Sequence, residues 1–249
     1  MVSGKYSALS GAITREQTIA NISNNLANIS TTGYKKSNIS FESVLDGEKQ
    51  ANEAKGINYN RAKQNFTDFS PGAVRQTDDP LDVTIHGEGF LKVQGPNGIL
   101  YTKRGDLAIN GEGLLTTSNG LPVLDDTGGE ITIPDTESSK IAFSDSGTIY
   151  TLGEQGARSE VGQLGIYNIQ DTSQLKRESD TTFSLEDITQ EIPDVGSRII
   201  QGSLELSNVN MASEMAKMID SYRTFETYHK VLKSYSTIGE QQNELGTLG

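Results

Sequence analysis

The sequence predicts an α+β protein in which long helices at the two ends of the chain enclose an all-β domain. Three observations support this class: apolar residues at helical spacing near both termini, short alternating segments between them, and six prolines that all lie within residues 71–193. The N- and C-terminal helices are expected to pair as a coiled-coil-like unit, because neither apolar stripe is stable in water. The inserted domain is expected to be a sandwich or barrel of short antiparallel strands.

The N-terminal helix, predicted over residues 3–30, carries an apolar stripe and a polar stripe. The apolar stripe, spaced 3, 4 and 3, consists of Ile19, Ile22, Leu26 and Ile29. The polar stripe consists of the amides Asn21, Asn24, Asn25 and Asn28. Asparagine is a poor helix former, so four on one face indicate an interface, although a solvated face remains the alternative.

The first half of this helix offers two possible tracks for contact. One is the apolar series Val2, Tyr6, Leu9 and Ile13, and the other runs through Ala8, Ala12 and Arg15. Gly4 and Gly11 each weaken the helix by about 1 kcal/mol relative to alanine. The helix is therefore expected to need a partner.

The C-terminal helix has a heptad pattern. Residues spaced alternately 4 and 3 form the predicted seam: Met211, Met215, Met218, Tyr222, Phe225, His229 and Leu232. Tyr228, Val231, Tyr235 and Ile238 widen this face. Asn208 or Asn210 is the predicted N-cap. No Gly or Pro interrupts residues 203–238, so this helix is predicted to be the stronger of the two.

The middle of the chain has turn signals every 8–12 residues, which is typical of an all-β domain. Leu81-Asp82-Val83-Thr84-Ile85-His86 alternates as a half-buried strand does, and Pro96-Asn97-Gly98 predicts a hairpin turn. The predicted domains are a terminal helical domain (1–36 plus 205–249), a polar connector (37–65) and a β-rich domain (66–204).

Charge and composition exclude several classes of function. The net charge is −12, and the middle of the chain carries all of it, because the ends contribute +2 (residues 1–45) and −2 (residues 205–249). This argues against nucleic acid and against anionic membrane surfaces as partners. The chain has no cysteine, which excludes disulfides and thiolate metal sites. No apolar run is long enough to span a membrane, and no cleaved signal peptide is expected.

No motif predicts a catalytic residue, a cofactor site or a metal site. His86 and His229 are expected to be structural. The triplets Asp126-Thr127-Gly128 and Asp145-Ser146-Gly147 resemble those of aspartyl proteases, but only 19 residues separate them, whereas bilobal enzymes place one in each lobe. Both triplets are also common turn sequences. An acidic hydrolase therefore stays only as an alternative.

Several motifs resemble one family. Asn24-Asn25-Leu26-Ala27-Asn28 and Thr31-Thr32-Gly33-Tyr34-Lys35 resemble the N-terminal signature of bacterial flagellar rod and hook proteins. Residues 65–90, 101–105 and 113–117 are similar to the segment that opens the family's β domain. Leu206-Ser207-Asn208-Val209-Asn210, Glu214-Met215 and Arg223-x-Phe225-Glu226 match its C-terminal helix. The resemblance covers nearly the whole chain.

The resemblance implies a structural subunit of the flagellar drive shaft that stacks into a helical tube and transmits torque. The implied partners are copies of this chain, other flagellar axial proteins and the flagellar type III export apparatus, with no nucleic acid and no membrane insertion. It also implies a basal-body rod in the periplasmic space, reached without a cleaved signal peptide. The apolar residues of both helices would then bury between helices, while the asparagines face neighbouring subunits or the central channel.

Within the family, the length and residues 119–134 look most like a proximal rod protein. The distal rod protein is the second alternative and the hook protein the third. The connector 46–65 matches no insertion diagnostic of a subtype. A secreted β-rich structural or adhesion protein is a further alternative, and it requires the helical ends to be incidental.

Overall fold

The computed structural model describes residues 2–46, 57–134, 140–153, 158–194 and 196–247. Two long helices bracket these residues, α1 (Val2–Ala27) and α2 (Met211–Thr247). The chain divides into two compact units. The helical unit comprises Met1–Ala27, Ser37–Asp68 and Val209–Gly249, and the β unit comprises Asn28–Lys36 and Phe69–Asn208.

The helical unit combines both helices with a long antiparallel hairpin. The hairpin strands are β1 (Ser37–Asp46) and β2 (Ile57–Thr67), with a bulge between Ser40 and Phe41. Helix α2 is capped by Asn210, whose Oδ1 accepts the Ser213 N–H at 3.0 Å. This confirms the second of the two predicted N-caps.

The β unit contains fifteen short strands in its described residues. In chain order they are β3 (Val74–Gln76), β4 (Val83–His86), β5 (Phe90–Gly95), β6 (Gly98–Thr102), β7 (Leu107–Ile109), β8 (Leu115–Thr117), β9 (Lys140–Phe143), β10 (Thr148–Leu152), β11 (Arg158–Gln163), β12 (Ile166–Ile169), β13 (Leu175–Arg177), β14 (Thr182–Leu185), β15 (Glu191–Pro193), β16 (Arg198–Gln201) and β17 (Ser203–Glu205). Two short 3₁₀ turns, Thr172–Gln174 and Ile188–Gln190, lie among them.

Every strand pairing in the β unit is antiparallel among the described residues. The largest sheet has the order β13-β14-β6-β5-β12-β15, and a second has the order β11-β10-β9. Three pairs complete the unit: β16 with β4, β17 with β3 and β7 with β8. The predicted turn at Pro96 joins β5 to β6, with Gly95 opposite Gly98. Gly98 has a φ of 139°, which an L residue rarely adopts.

Two apolar clusters form the core of the β unit. The larger contains Val83, Ile85, Leu91, Val93, Leu107, Leu115, Val123, Ile131, Ile133, Phe143, Ile149, Leu164, Ile166 and Ile199. The smaller is aromatic-rich and contains Phe90, Tyr101, Tyr167, Ile169, Leu175 and Phe183. Strand β4, predicted from its alternation, contributes Val83 and Ile85 to the larger cluster, so this unit buries a core of its own.

The structure confirms the α+β class with an inserted β region, and it groups residues 37–65 differently from the prediction. The predicted polar connector supplies most of β1 and β2 rather than a link without regular structure. The hairpin rests on backbone pairing over ten positions, which needs no apolar alternation and so gave no strand signal. Residues 28–36, predicted to belong with the helices, lie in the β unit.

Candidate functional site

Small residues of α1 lie against tyrosines of α2 in the helical unit. A Cβ added at Gly4 would lie 2.5 Å from the Tyr235 hydroxyl oxygen, and one added at Gly11 would lie 2.5 Å from Tyr228 Cζ. Real Cβ atoms essentially never approach that closely. Both glycines, which the sequence marked only as weak points of the helix, therefore make room for aromatic rings.

The buried face of α1 follows the small-residue track rather than the apolar one. Ala8, Ala12 and Ile22 are buried, whereas Tyr6, Leu9 and Ile13 are about half exposed. Of the predicted apolar stripe, Ile22 is buried and Ile19 and Leu26 are partly exposed. Ile29 lies beyond the end of α1, in the β unit.

The buried face of α2 is offset by one residue from the predicted seam. Met211, Met215 and Tyr222 are 52%, 51% and 50% exposed, and His229 is also exposed. The buried or partly buried positions are Glu214, Met218, Ser221, Thr224, Phe225, Tyr228, Leu232, Tyr235 and Gly239. Within one chain, Met211, Met215 and Tyr222 of the predicted subunit-interface seam are therefore exposed, while Met218, Phe225 and Leu232 are partly buried.

The physical reason is that α1 offers glycine, alanine and threonine at the contact. Such a surface accepts long aromatic side chains and buried polar groups, so hydrophobicity alone does not identify the facing residues. The missed signal is a matched spacing, since Gly4 and Gly11 are seven residues apart and so are Tyr228 and Tyr235. The role of the exposed residues at an interface between subunits remains a prediction.

Members of the asparagine stripe make hydrogen bonds within the chain, and two of them, Asn21 and Asn25, bond the start of β1. Asn25 is 0% exposed, and its amide pairs with the Ser37 backbone in both directions, donating to the carbonyl at 2.9 Å and accepting the N–H at 2.9 Å. Asn21 donates to the same carbonyl at 2.8 Å. These bonds fix the start of β1 against the end of α1. Asn24 is exposed, and Asn28 accepts the Thr31 hydroxyl at 2.9 Å in the turn that follows.

Each helix of the helical unit carries a cluster of exposed apolar residues. The α1 patch consists of Tyr6, Leu9 and Ile13, and the α2 patch consists of Met211, Met215, Ile219 and Tyr222. At about 100° per residue, the α1 patch lies on the side of α1 opposite Gly4, Ala8 and Gly11. Exposed apolar clusters of this kind mark interaction surfaces.

In the β unit, the turn that follows α1 is held by a buried ion pair. Lys35, 1% exposed, donates from Nζ to Glu205 Oε1 at 2.6 Å and to the Ser70 carbonyl at 2.9 Å. The same carboxylate oxygen accepts the Gly72 N–H at 2.8 Å. We call this group of Lys35, Ser70, Gly72 and Glu205 the clasp. A lysine paired and hydrogen-bonded in this way can be buried.

Residues beside the clasp explain the rest of the Thr31–Lys35 motif. Gly33 has a φ of 68° and donates its N–H to the Glu205 carbonyl at 2.8 Å. A Cβ on Gly33 would lie 2.7 Å from the Arg104 backbone, so no larger residue fits. The Arg177 guanidinium lies 4.9 Å from the centre of the Tyr34 ring. Through these contacts the motif holds residues 28–36 in the β unit, against Arg104, Arg177 and Glu205.

A second lysine lies near the clasp. Lys103 Nζ donates to the Gly87 carbonyl at 2.7 Å and lies 5.0 Å from the centre of the Phe90 ring. Burial lowers the pKa of Lys103 to about 8, with Glu205 opposing the shift and Lys35 adding to it. The Glu205 carboxylate thus pairs directly with Lys35 and also acts electrostatically on Lys103.

The aspartate triplets form turns in the structure. Asp125 Oδ1 accepts N–H groups from Thr127 at 2.8 Å and from Gly129 at 2.7 Å. These bonds lower the pKa of the Asp125 carboxyl, although its partial burial acts in the opposite direction. Asp126 and Asp145 are both exposed. In this geometry the first triplet has the hydrogen bonding of a tight turn.

Neither a metal cluster nor a membrane-spanning helix is found in the described residues. No group of three or more His, Cys, Asp or Glu side chains there is arranged to hold a metal ion. Among the same residues, no helix is both long and apolar enough to cross a bilayer.

Family models match three parts of the chain. Residues 6–35 match the flagella basal body rod protein model, residues 84–151 match the flagellar hook protein FlgE/F/G D1 domain, and residues 200–245 match the flagellar basal body rod FlgEFG protein C-terminal model. The first and third matches cover most of α1 and α2. The second covers the strands from β4 to β10.

Similar proteins cover almost the full length of the chain. The flagellar basal-body rod protein FlgF of Caulobacter vibrioides is 31% identical over 245 residues, which is 96% of each chain. FlgG of Bacillus subtilis is 28% identical over 96% of this chain and 97% of its own. FlgG of Buchnera aphidicola subsp. Acyrthosiphon pisum is 32% identical over 91% and 92%. The chain belongs to the flagellar basal-body rod protein family, a family of structural proteins rather than enzymes.

Proposed function

We propose that this chain is a structural subunit of the flagellar basal-body rod, which self-assembles into a helical tube and transmits torque. The observation that carries the proposal is the pair of exposed apolar patches on the helical unit, whereas the β unit buries its own core. Family membership supports the same conclusion. No reaction is part of this function.

The two patches favour contacts that continue from copy to copy. They differ in composition and lie on different helices, so contact between the α1 patch of one copy and the α2 patch of the next joins unlike surfaces. A contact of that kind, repeated head to tail, forms a ring or an open helical filament. Three exposed residues of the predicted seam that belong to the α2 patch, Met211, Met215 and Tyr222, serve this contact between copies.

In the assembled rod, the terminal helices form the inner domain with coiled-coil-like pairing, and the β-rich region forms the outer one. Other flagellar axial proteins are the neighbours at either end. The subunit reaches the periplasmic rod through the flagellar type III export apparatus without a cleaved signal peptide. Exposed Asn24 faces a neighbouring subunit or the channel.

The proximal rod is the preferred position, and the distal rod is the second candidate. The FlgF protein of Caulobacter vibrioides supports the first, and the FlgG protein of Bacillus subtilis supports the second. Electron microscopy of basal bodies from a deletion strain tests both the function and the position. We expect a truncated rod, and the length at which it stops distinguishes proximal from distal. Rods of normal length would refute the proposal.

Substitutions in the patches test the surface itself. Leu9→Lys and Ile219→Lys are expected to abolish complementation of motility in the deletion strain, since each places a charge in an apolar contact. Gln17→Lys and Ala216→Lys are matched controls, because both positions are exposed and lie outside the patches. Normal motility with both patch variants would reject the patches as interfaces.

A further inference from the structure

The contact between α1 and α2 pairs residues at three levels along the helices. Gly4 lies against Tyr235, and Gly11 lies against Tyr228. Seven residues separate the members of these pairs on each helix, so both contacts belong to one antiparallel register. Each pair joins the smallest residue type to one of the largest.

The third level is polar. Asn25 Nδ2 lies 3.5 Å from Glu214 Oε2, and these side chains belong to residues that are 0% and 1% exposed. Asn25 is fourteen residues beyond Gly11, and Glu214 is fourteen residues before Tyr228, so this pair belongs to the same register. Buried polar pairs in helix seams discriminate between registers, because a slipped register leaves costly polar groups facing apolar ones.

A slip of one heptad breaks all three native pairs and leaves only one glycine–tyrosine contact, between different members. In one direction Tyr235 meets Gly11, but Tyr228 then meets Thr18, whose side chain occupies the space a glycine leaves free. In the other direction Tyr228 meets Gly4, and Ser221 meets Gly11. Either slip moves Asn25 and Glu214 apart by about 10 Å, at about 1.5 Å per residue. The native register is the only one of the three that keeps all the pairs.

We infer that Gly4, Gly11 and Asn25, with Tyr235, Tyr228 and Glu214, are positioning residues that set the register between α1 and α2. Along the helix axis, the register places the α1 patch level with residues 226–233 of α2. The centre of that range is 13 residues from the centre of the α2 patch. The two patches are therefore offset by about 20 Å along the helix axis. If the proposed rod function holds, this offset fixes where the next copy docks.

The glycine contact is tested by thermal melting of the full chain, followed by helical circular dichroism. Alanine normally favours a helix over glycine by about 1 kcal/mol. We expect Gly11→Ala instead to lower the melting temperature by several degrees, because its Cβ meets the Tyr228 ring. Gly239→Ala is the matched control, since nothing lies within 4 Å of a Cβ there, and it is expected to raise the melting temperature or leave it unchanged.

A second substitution at Tyr228 shows whether Gly11→Ala destabilises the chain through the Tyr228 ring or through a general effect on the helix. In a Tyr228→Leu background, which removes the far end of the ring, Gly11→Ala is expected to cost nothing. If Gly11→Ala stabilises the unsubstituted chain, or lowers the melting temperature equally in both backgrounds, the glycine contact is not a determinant of register.

The register itself is measured as a distance, and the absence of cysteine makes labelling specific. Two double-cysteine variants carry spin labels at Gln17 with Lys230 and at Gln17 with Ala216, all exposed positions. The three α2 partners are then replaced together by Glu214→Leu, Tyr228→Leu and Tyr235→Leu, which leaves the Asn25 bonds to Ser37 in place. We expect a second population in which one distance lengthens and the other shortens by several ångströms.

If each label pair shows a single narrow distance that the three substitutions do not change, the inference is overturned. It is also overturned if the distances between labels are broadly distributed in the chain without those substitutions. These measurements use the isolated chain and do not depend on assembly. A failed register inference therefore does not affect the motility and microscopy tests of the proposed function. Failure of the proposed function likewise does not affect the distance and melting measurements.

Discussion

The helical unit and the β unit differ in where their hydrophobic residues lie. Of 27 buried hydrophobic residues in the described chain, 23 belong to the β unit, and the other four are Ala8, Ala12, Ile22 and Val209. Of 13 exposed large hydrophobic residues, ten belong to the helical unit, and the other three are Val74, Ile192 and Ile200. One half of the molecule buries its apolar surface alone, and the other half exposes it.

This difference indicates that the two units obtain stability from different sources. The β unit gains it from its own core, whereas a pair of helices with small residues at the contact buries little apolar area. Most of the stability of a helix comes from tertiary packing. The helical unit is therefore expected to reach full stability only when its patches are covered.

The largest effect on folding is expected in the β core. Phe183 is fully buried, and its ring centre lies 5.0 Å from that of Phe69. Phe183→Ala should lower the free energy of unfolding by about 4 kcal/mol, because it removes buried apolar area and leaves a cavity. Urea denaturation followed by circular dichroism measures it. Ile238→Ala, at an exposed site on α2, is the control, and an equal loss there would contradict the comparison.

Breaking the clasp is expected to cost about 3 kcal/mol. Lys35→Met removes the cation that lies 2.6 Å from the buried Glu205 carboxylate, and a buried charge that loses its direct partner is strongly destabilising. Adding Glu205→Leu removes that charge, so the double variant should be more stable than Lys35→Met alone. The same urea titration gives the free energy of unfolding of Lys35→Met, of Glu205→Leu alone and of the double variant. A double variant that loses the sum of the two single losses would show that the two residues are not coupled.

Lys103 is expected to make the stability of the β unit depend on pH. Burial lowers its folded pKa from 10.5 to about 8, so between these values the unfolded chain binds more protons. Stability from this group therefore rises with pH across that window. Between pH 8 and pH 10, the free energy of unfolding of the wild type should rise by about 2 kcal/mol relative to that of Lys103→Met. Urea titrations at pH 7, 8, 9 and 10 measure this, with exposed Lys140→Met as the control. If the difference in free energy of unfolding between the wild type and Lys103→Met does not change with pH, the lowered pKa of Lys103 is excluded.

The smallest folding effect is expected on the α1 patch. Leu9→Lys should change the free energy of unfolding of the isolated chain by no more than about 0.5 kcal/mol, because surface substitutions rarely do more. The same substitution is expected to abolish motility. A large folding loss would show that Leu9 packs within its own chain, and would weaken the contrast between the units.

Much of the fold follows from local patterns. The alternation around Val83 and Ile85 predicts a strand, and both residues reach the core. Gly98 provides the positive φ of the predicted hairpin turn. The two terminal helices follow from apolar residues at helical spacing, and their existence and approximate bounds are confirmed.

The details of contact do not follow from such patterns. Whether Tyr222 or Tyr228 faces α1 depends on the shape of the α1 surface, where Gly11 leaves the space. The clasp joins Lys35 to Glu205 across 170 residues, and no local signal marks either as the partner of the other. The hairpin of β1 and β2 is held by backbone bonds, so its polar sequence resembles a connector.

The clasp also brings together the places where the chain enters and leaves the β unit. Lys36 donates its backbone N–H to Asn208 Oδ1 at 2.8 Å, and the Asn208 amide in turn donates to the Ser70 carbonyl at 3.0 Å. A unit whose two ends meet in this way can be inserted into, or removed from, a host chain without stretching it. Evolution can thus enlarge, shrink or exchange everything between Ser70 and Glu205 while the terminal helices keep their sequence.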